Sequence, residues 1–72
     1  MKNIKKIKIK VNGKFKSIPE NFTISDLLND LKVPLKKVAI ELNQEIIDKK
    51  RISKINFKKN DNIEIVHFIG GG

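Results

Sequence analysis

Asn62-Ile63-Glu64-Ile65-Val66-His67-Phe68-Ile69-Gly70-Gly71-Gly72 closes the 72-residue sequence. Ile63 and Ile65 fall on one side of an alternating pattern, and Glu64, Val66 and Phe68 on the other, as in a strand with one buried and one exposed face. The strand then runs into three glycines, which gain nothing inside a sheet and lose the most backbone freedom on ordering. Their use therefore lies in shape. Without Cβ atoms the segment is slim enough for a narrow channel, and at up to about 3.6 Å per extended residue it reaches roughly 10 Å past the last side chain. A free α-carboxylate is expected on Gly72. The bland alternative is a frayed, glycine-rich terminus, and the residues that lead into it decide between the two.

Seventy-two residues make one small domain, able to bury only about 60% of the surface of its unfolded chain. That is too little for a deep catalytic cleft. With no cysteine, neither disulfides nor thiolate metal ligands hold the fold, which suits a reducing compartment. No apolar run approaches the roughly 20 residues of a membrane span, and lysines interrupt the N-terminal isoleucines where a signal peptide needs an unbroken apolar block. A soluble, cytoplasmic protein with no membrane partner is expected.

The formal net charge is +8 and the pI near 9.9, which raises nucleic acid or an acidic protein surface as a partner. Seven lysines, at positions 2, 5, 6, 8, 10, 14 and 16, precede the first acidic residue, Glu20. Lysine on strand surfaces also blocks edge-to-edge aggregation, so a solvated face accounts for much of this charge. A basic β-rich module for nucleic acid would need aromatics interleaved with lysine on one face. Only one of the four phenylalanines lies in the basic segment, and there is no Trp or Tyr.

Ile7, Ile9 and Val11 alternate with Lys6, Lys8 and Lys10 in a first strand. Asn12-Gly13 tolerates the positive φ angles of a type I′ turn, and a second strand follows from Lys14 to about Ile18. A two-residue loop pairs Val11 with Lys14 and Ile7 with Ile18, leaving Phe15 on the outer face beside Lys10. A bulged three-residue loop would instead turn Phe15 inward and Ile18 outward; the first register is preferred. After Pro19-Glu20-Asn21, Thr23-Ile24-Ser25-Asp26 has the form of a capping box. Ile24, Leu27, Leu28 and Leu31 then make one apolar helical stripe, which Val33-Pro34 closes. Asp26 and Asp30 share a helix face, but an early acid favours the helix N-terminus and nothing supplies further metal ligands.

Val38, Ile40 and Leu42 mark a third strand, and Asn43-Gln44-Glu45 turns into a brief fourth from Ile46 to Asp48. Ile52, Ile55 and Phe57 are spaced for a helical turn or loop that plugs one end of the core, and Lys58 to Asn62 is turn chemistry. The order ββαββ with a final strand implies an α+β fold, a mixed sheet curled over one helix, with the last strand beside the first in mid-sheet. Residues 1–69 form the domain and 70–72 a flexible tail. Val66 and Phe68 look outward and, with Phe15, are expected to form an apolar docking patch.

Internal candidates for chemistry are few. His67 is the only histidine, and Ser17, Thr23 and Ser25 have no evident base; no cluster has metal-ligand spacing. His67 lies beside the tail, where a structural or partner-contact role outweighs a catalytic one. The glycines precede no helix, so they form no phosphate loop. The chain is therefore not expected to be an enzyme. What is left is the terminal carboxylate, a poor electrophile until activated, most simply as an acyl-adenylate from which a sulfur nucleophile displaces AMP. ATP and the sulfur donor would be used by a partner enzyme, and this chain would bind no cofactor or metal.

Val11-Asn12-Gly13-Lys14, Thr23 to Leu28, Val38 to Asn43 and Asp61 to Gly72 together resemble the ubiquitin-like β-grasp sulfur carriers, most closely the thiamin-biosynthesis sulfur-carrier family. The likeness covers nearly the whole chain, and its last segment is the most specific. There are two departures: Asn60-Asp61-Asn62 lacks the glycine usual in that turn, and Lys16 stands where an apolar residue is more common. The resemblance implies that Gly72 is adenylated by a ubiquitin-activating-like adenylyltransferase and converted to a thiocarboxylate, whose sulfur passes to thiazole synthase. It implies that Gly70 and Gly71 thread the partner's site, that Val66, Phe68 and Ile69 help dock, and that the carrier is a monomer when alone. The small subunit of molybdopterin synthase shares this fold and ending and is the nearest rival; the short chain and the His-Phe-Ile-Gly-Gly-Gly ending favour the thiazole pathway.

Overall fold

The computed structural model describes residues 5–68. Ile69, Gly70, Gly71 and Gly72, and with them the expected domain boundary, lie outside the described residues. Strand β1 (Lys6–Val11) and strand β2 (Lys14–Pro19) form a hairpin, paired antiparallel with Val11 opposite Lys14 and Ile7 opposite Ile18. Asn12 at φ 50° and Gly13 at φ 84° give the turn its two positive angles, the demand of a type I′ hairpin. That register sends Ile9 and Ile18 into the core and leaves Phe15 outside, 68% exposed.

Helix α1 (Ile24–Leu31) starts from a complete capping box: the Thr23 hydroxyl accepts the Asp26 N–H, and the Asp26 carboxylate accepts the Thr23 N–H. Asp26 is thus a helix cap. Ile24, Leu27 and Leu28 are buried in the core, while Leu31, expected on the same stripe, is 38% exposed. The helix ends earlier than Val33-Pro34 suggests. Lys32 adopts the left-handed conformation, and the N–H groups of Lys32 and Val33 return to the carbonyls of Asn29 and Leu28, which satisfies carbonyls a helix end leaves unpaired.

A 3₁₀ turn (Leu35–Lys37) leads into β3 (Val38–Leu42) and β4 (Glu45–Ile46). The fourth strand is shorter than expected and begins one residue earlier, because Asn43 and Gln44 both take positive φ and so make a second two-residue hairpin pairing Leu42 with Glu45. Asp48 caps the next 3₁₀ turn (Lys49–Arg51) by accepting the Lys50 N–H at 2.9 Å. Ile52 and Phe57 then plug the core below the helix start, held there by Ser25 N–H to the Ile52 carbonyl and Phe57 N–H to the Phe22 carbonyl.

Strand β5 (Asn62–His67) completes a mixed sheet of order β2-β1-β5-β3-β4, parallel to β1 and antiparallel to β3. Ile63 and Ile65 are buried in mid-sheet. Each such side chain contributes about 1.5–3 kcal/mol on burial, so β5 is fixed by packing on one side and by pairing on two edges. The two departures have simple accommodations. Asn60 supplies the φ of 71° that a glycine would, and asparagine tolerates that region. Lys16 points to the helix side of the sheet but reaches out to Asp30, 3.6 Å away, as a long stem allows a charge to stay in water.

Candidate functional site at the root of the tail

The segment that leads to the glycines leaves the sheet from its middle strand. At its end, His67 pairs with Val38 and the Phe68 N–H donates to the Lys37 carbonyl at 2.9 Å. Order therefore persists to the last described residue. Val66 and Phe68 face outward as expected, 52% and 53% exposed, and the Lys49 ammonium sits 5.5 Å from the centre of the Phe68 ring.

The outer face around them has a definite pattern. Val66 lies opposite Ala39, Glu64 opposite Glu41, and Glu41 opposite Ile46. Ile46 is 80% exposed. The platform is thus Val66, Phe68, Ala39 and Ile46 around two carboxylates, directly opposed residues that are neighbours by strand geometry. The hairpin parity set by Asn43-Gln44 was the signal in the sequence that could have placed Ile46 here.

Phe15 does not join this platform. Lys10 is level with both Phe15 and Asn62, whereas Val66 lies four residues further along β5, about 13 Å at the rise of a strand. The hairpin turn ends β1 before that level is reached. Phe15 instead lies under the ammonium groups of Lys8 and Lys10, 5.5 and 5.2 Å from its ring centre. The expected single patch is two patches on one face. His67 has the parity of Ile63 and Ile65 but is exposed beyond the core's margin, on the opposite side of β5 from Val66.

Asn12 does more than form its turn. Its side-chain oxygen accepts the Ile65 N–H at 2.7 Å and its amide donates to the Ile65 carbonyl at 3.3 Å, extending the pairing of β5 beyond the end of β1. On the other flank Asn43 donates to Asp61 at 3.0 Å and accepts the Asn62 N–H at 2.9 Å. Two turn asparagines thus hold the strand that bears the tail. Among the described residues no group of three or more His, Cys, Asp or Glu side chains is placed to hold a metal ion, and no helix is long and apolar enough to cross a membrane.

A strand clamped at both edges thus ends in an outward apolar step, and in the sequence the glycine run follows it. The ThiS family model matches residues 5–72, the glycines included. The chain belongs to the ThiS family. The sulfur carrier protein ThiS of Bacillus subtilis is 43% identical over 65 residues, covering 89% of this chain and 98% of that one. The crystal structure of a ThiS thiamine biosynthesis protein from Geobacter metallireducens superposes with a TM-score of 0.80 at 32% identity, over 92% of this chain and all of that one. The fold is accordingly the ubiquitin-like β-grasp of the ThiS family. A thiazole synthase of Paramagnetospirillum magneticum is 38% identical over 66 residues; there the match covers 92% of this chain but only 20% of the larger protein.

Proposed function

We propose that this protein is a sulfur carrier of thiamin biosynthesis, with Gly72 as the residue that carries the sulfur. The observation that carries the reading is the continuity of the ThiS match through the glycines, on a strand whose outward residues lead directly to them. A carboxylate does not yield its oxygen to a nucleophile unaided. Attack of the Gly72 carboxylate on the α-phosphorus of ATP, in a partner adenylyltransferase, expels pyrophosphate and gives the acyl-adenylate. A hydrosulfide equivalent from the sulfur donor then adds to the acyl carbon, AMP leaves with the carboxylate oxygen it captured, and a thiocarboxylate remains.

In this reading Gly70 and Gly71 supply a backbone without side chains to a closed site, and Val66, Phe68 and Ile69 are the docking step next to it. ATP and the sulfur donor belong to the partner's chemistry, and the carrier contributes a reactive end and a grip rather than catalytic groups. Thiazole synthase is the proposed recipient. Support comes from the thiazole synthases that contain a region similar to this chain, since a carrier and its acceptor gain effective concentration when joined.

Intact mass spectrometry after incubation with ATP, the adenylating enzyme and a sulfide donor tests the reading. One oxygen replaced by sulfur, mapped to the C-terminal peptide, is expected. An unchanged mass with an adenylating enzyme shown to be competent on another carrier would overturn it, as would sulfur transfer to a variant lacking Gly72.

A further inference from the structure

The second outer-face patch is not needed to present the tail. Lys8, Lys10, Phe15, Asn60 and Asn62 line an open hollow of about 310 Å³, with both ammonium groups near the Phe15 ring. Among the described residues the one ion pair formed is Lys16 with Asp30, so Lys8 and Lys10 have no carboxylate partner there. The chain nonetheless keeps a large aromatic ring 68% exposed between them. Asn60 and Asn62 add amide groups that both donate and accept.

We propose that this hollow is a second docking site, which receives an acidic segment of the adenylating partner enzyme: a carboxylate between Lys8 and Lys10, with an adjoining apolar group on Phe15. The inference rests on the carrier reading only for the choice of partner. Two observations select a protein segment over a nucleic acid. A single aromatic ring offers no succession of stacking platforms. Further along the same face, Glu64 and Glu41 stand directly opposite one another and would repel a phosphate backbone crossing the sheet. A protein surface can match both, acidic over the lysines and basic over the glutamates, and such alternation fixes orientation as well as attraction.

The position is also suited to the task. The hollow lies at the start of β5 and the Val66 and Phe68 step at its end, so a partner held at both places is aligned along the strand that precedes the glycines in sequence. Long-range attraction between the basic hairpin and an acidic face raises the encounter rate and falls with ionic strength.

The test compares the intact protein with two variants, K8E/K10E and F15A, and with a charge-matched control, K54E/K58E, each confirmed as folded from its amide spectrum and melting temperature. Binding to the adenylating enzyme is followed by surface plasmon resonance across salt. About a tenfold or greater loss for K8E/K10E, mainly in the association rate, with a shallower salt dependence and little change for the control, is expected. F15A, which leaves the charges in place, should lose affinity chiefly through faster dissociation. Wild-type affinity in both hairpin variants would overturn the proposal while leaving sulfur loading of the unaltered protein as evidence for the carrier reading. Equal losses in the control would also overturn it, by showing a dependence on net charge alone. A single-stranded oligonucleotide that binds the hollow more tightly than the enzyme at physiological salt would overturn the choice of occupant.

Discussion

The side chain of Asn12 grips the backbone of Ile65 from both sides, accepting its N–H at 2.7 Å and donating to its carbonyl at 3.3 Å. The two residues are 53 positions apart, and the contact ties the first turn of the chain to the strand that carries the tail. Asn12 also holds φ at 50°, so substitutions separate its two duties. Asn12→Gly keeps the turn and deletes the grip; a loss of about 1–2 kcal/mol is expected from the unpaired groups of Ile65. Asn12→Ala should lose more than Asn12→Gly, because alanine has neither the freedom of glycine nor the local polar side chain with which asparagine tolerates the left-handed region, a conformation that costs about 1–2 kcal/mol. Urea midpoints measure both, and hydrogen exchange at the Ile65 amide should accelerate in each. Equal stability of Asn12→Gly and the parent would show that the grip contributes nothing.

Lys32 closes the helix with φ 58°, a conformation that costs a residue bearing Cβ about 1–2 kcal/mol. Glycine escapes that cost but forfeits roughly 0.5–1 kcal/mol of chain entropy. Lys32→Gly is therefore expected to stabilise the protein by about 0.5–1 kcal/mol. For a domain of this size that corresponds to a rise in melting temperature of several degrees, about 4–8 °C per kcal/mol. Calorimetry decides it, and a fall would mean that the lysine stem packs more usefully than its exposure suggests.

Asn43 and Asp61 form the other clamp. Asp61 accepts from the Asn43 amide at 3.0 Å and from the Lys58 N–H at 2.7 Å, and it is only 9% exposed. Asp61→Ala strands both donors and should cost about 1–3 kcal/mol. Asn43→Gly, chosen because Asn43 has φ 52°, should cost less. In a double-mutant cycle the two are expected to couple by about 0.5–3 kcal/mol, as contacting partners do. Additive losses would mean that Asp61 acts through Lys58 alone.

Much of this architecture was readable because local rules agreed with each other. Asn12-Gly13 fixed a two-residue turn, the turn fixed the register, and the register decided that Ile18 is buried and Phe15 exposed. Thr23 and Asp26 announced the helix start for an equally local reason. What escaped depends on contacts distant in sequence or on residues outside their usual roles. Nothing in a turn asparagine says that its amide reaches Ile65. A lysine is a poor residue in the left-handed region, so Lys32 gave no sign of ending the helix before Pro34. The separation of Phe15 from Val66 required knowing which residue of β5 lies level with Lys10, a parallel register that no turn specifies. The proposed role of the tail rests on other ground, the family match that runs through the three glycines.

Phe68 and Val66 offer the sharpest division between handle and function. Both are about half exposed, so truncation to alanine removes little buried surface. Phe68→Ala also gives up the Lys49 contact, about 0.5–1 kcal/mol at an exposed site, and its backbone bond to Lys37 is unaffected by the change. Melting temperature should therefore move by only a few degrees, whereas Leu27→Ala, in the buried helix face, should cost about 2–5 kcal/mol. The order reverses in function. If Val66 and Phe68 are the docking step proposed above, truncation removes an anchor, and loss of an aromatic hot spot costs about 2 kcal/mol or more of binding, about thirtyfold. The Val66→Ala/Phe68→Ala double variant should thus raise the KM for adenylation at least tenfold while its kcat, set by chemistry at Gly72, changes little. A collapse of stability in Phe68→Ala, or an unaltered KM in the double variant, would remove these residues from the docking step.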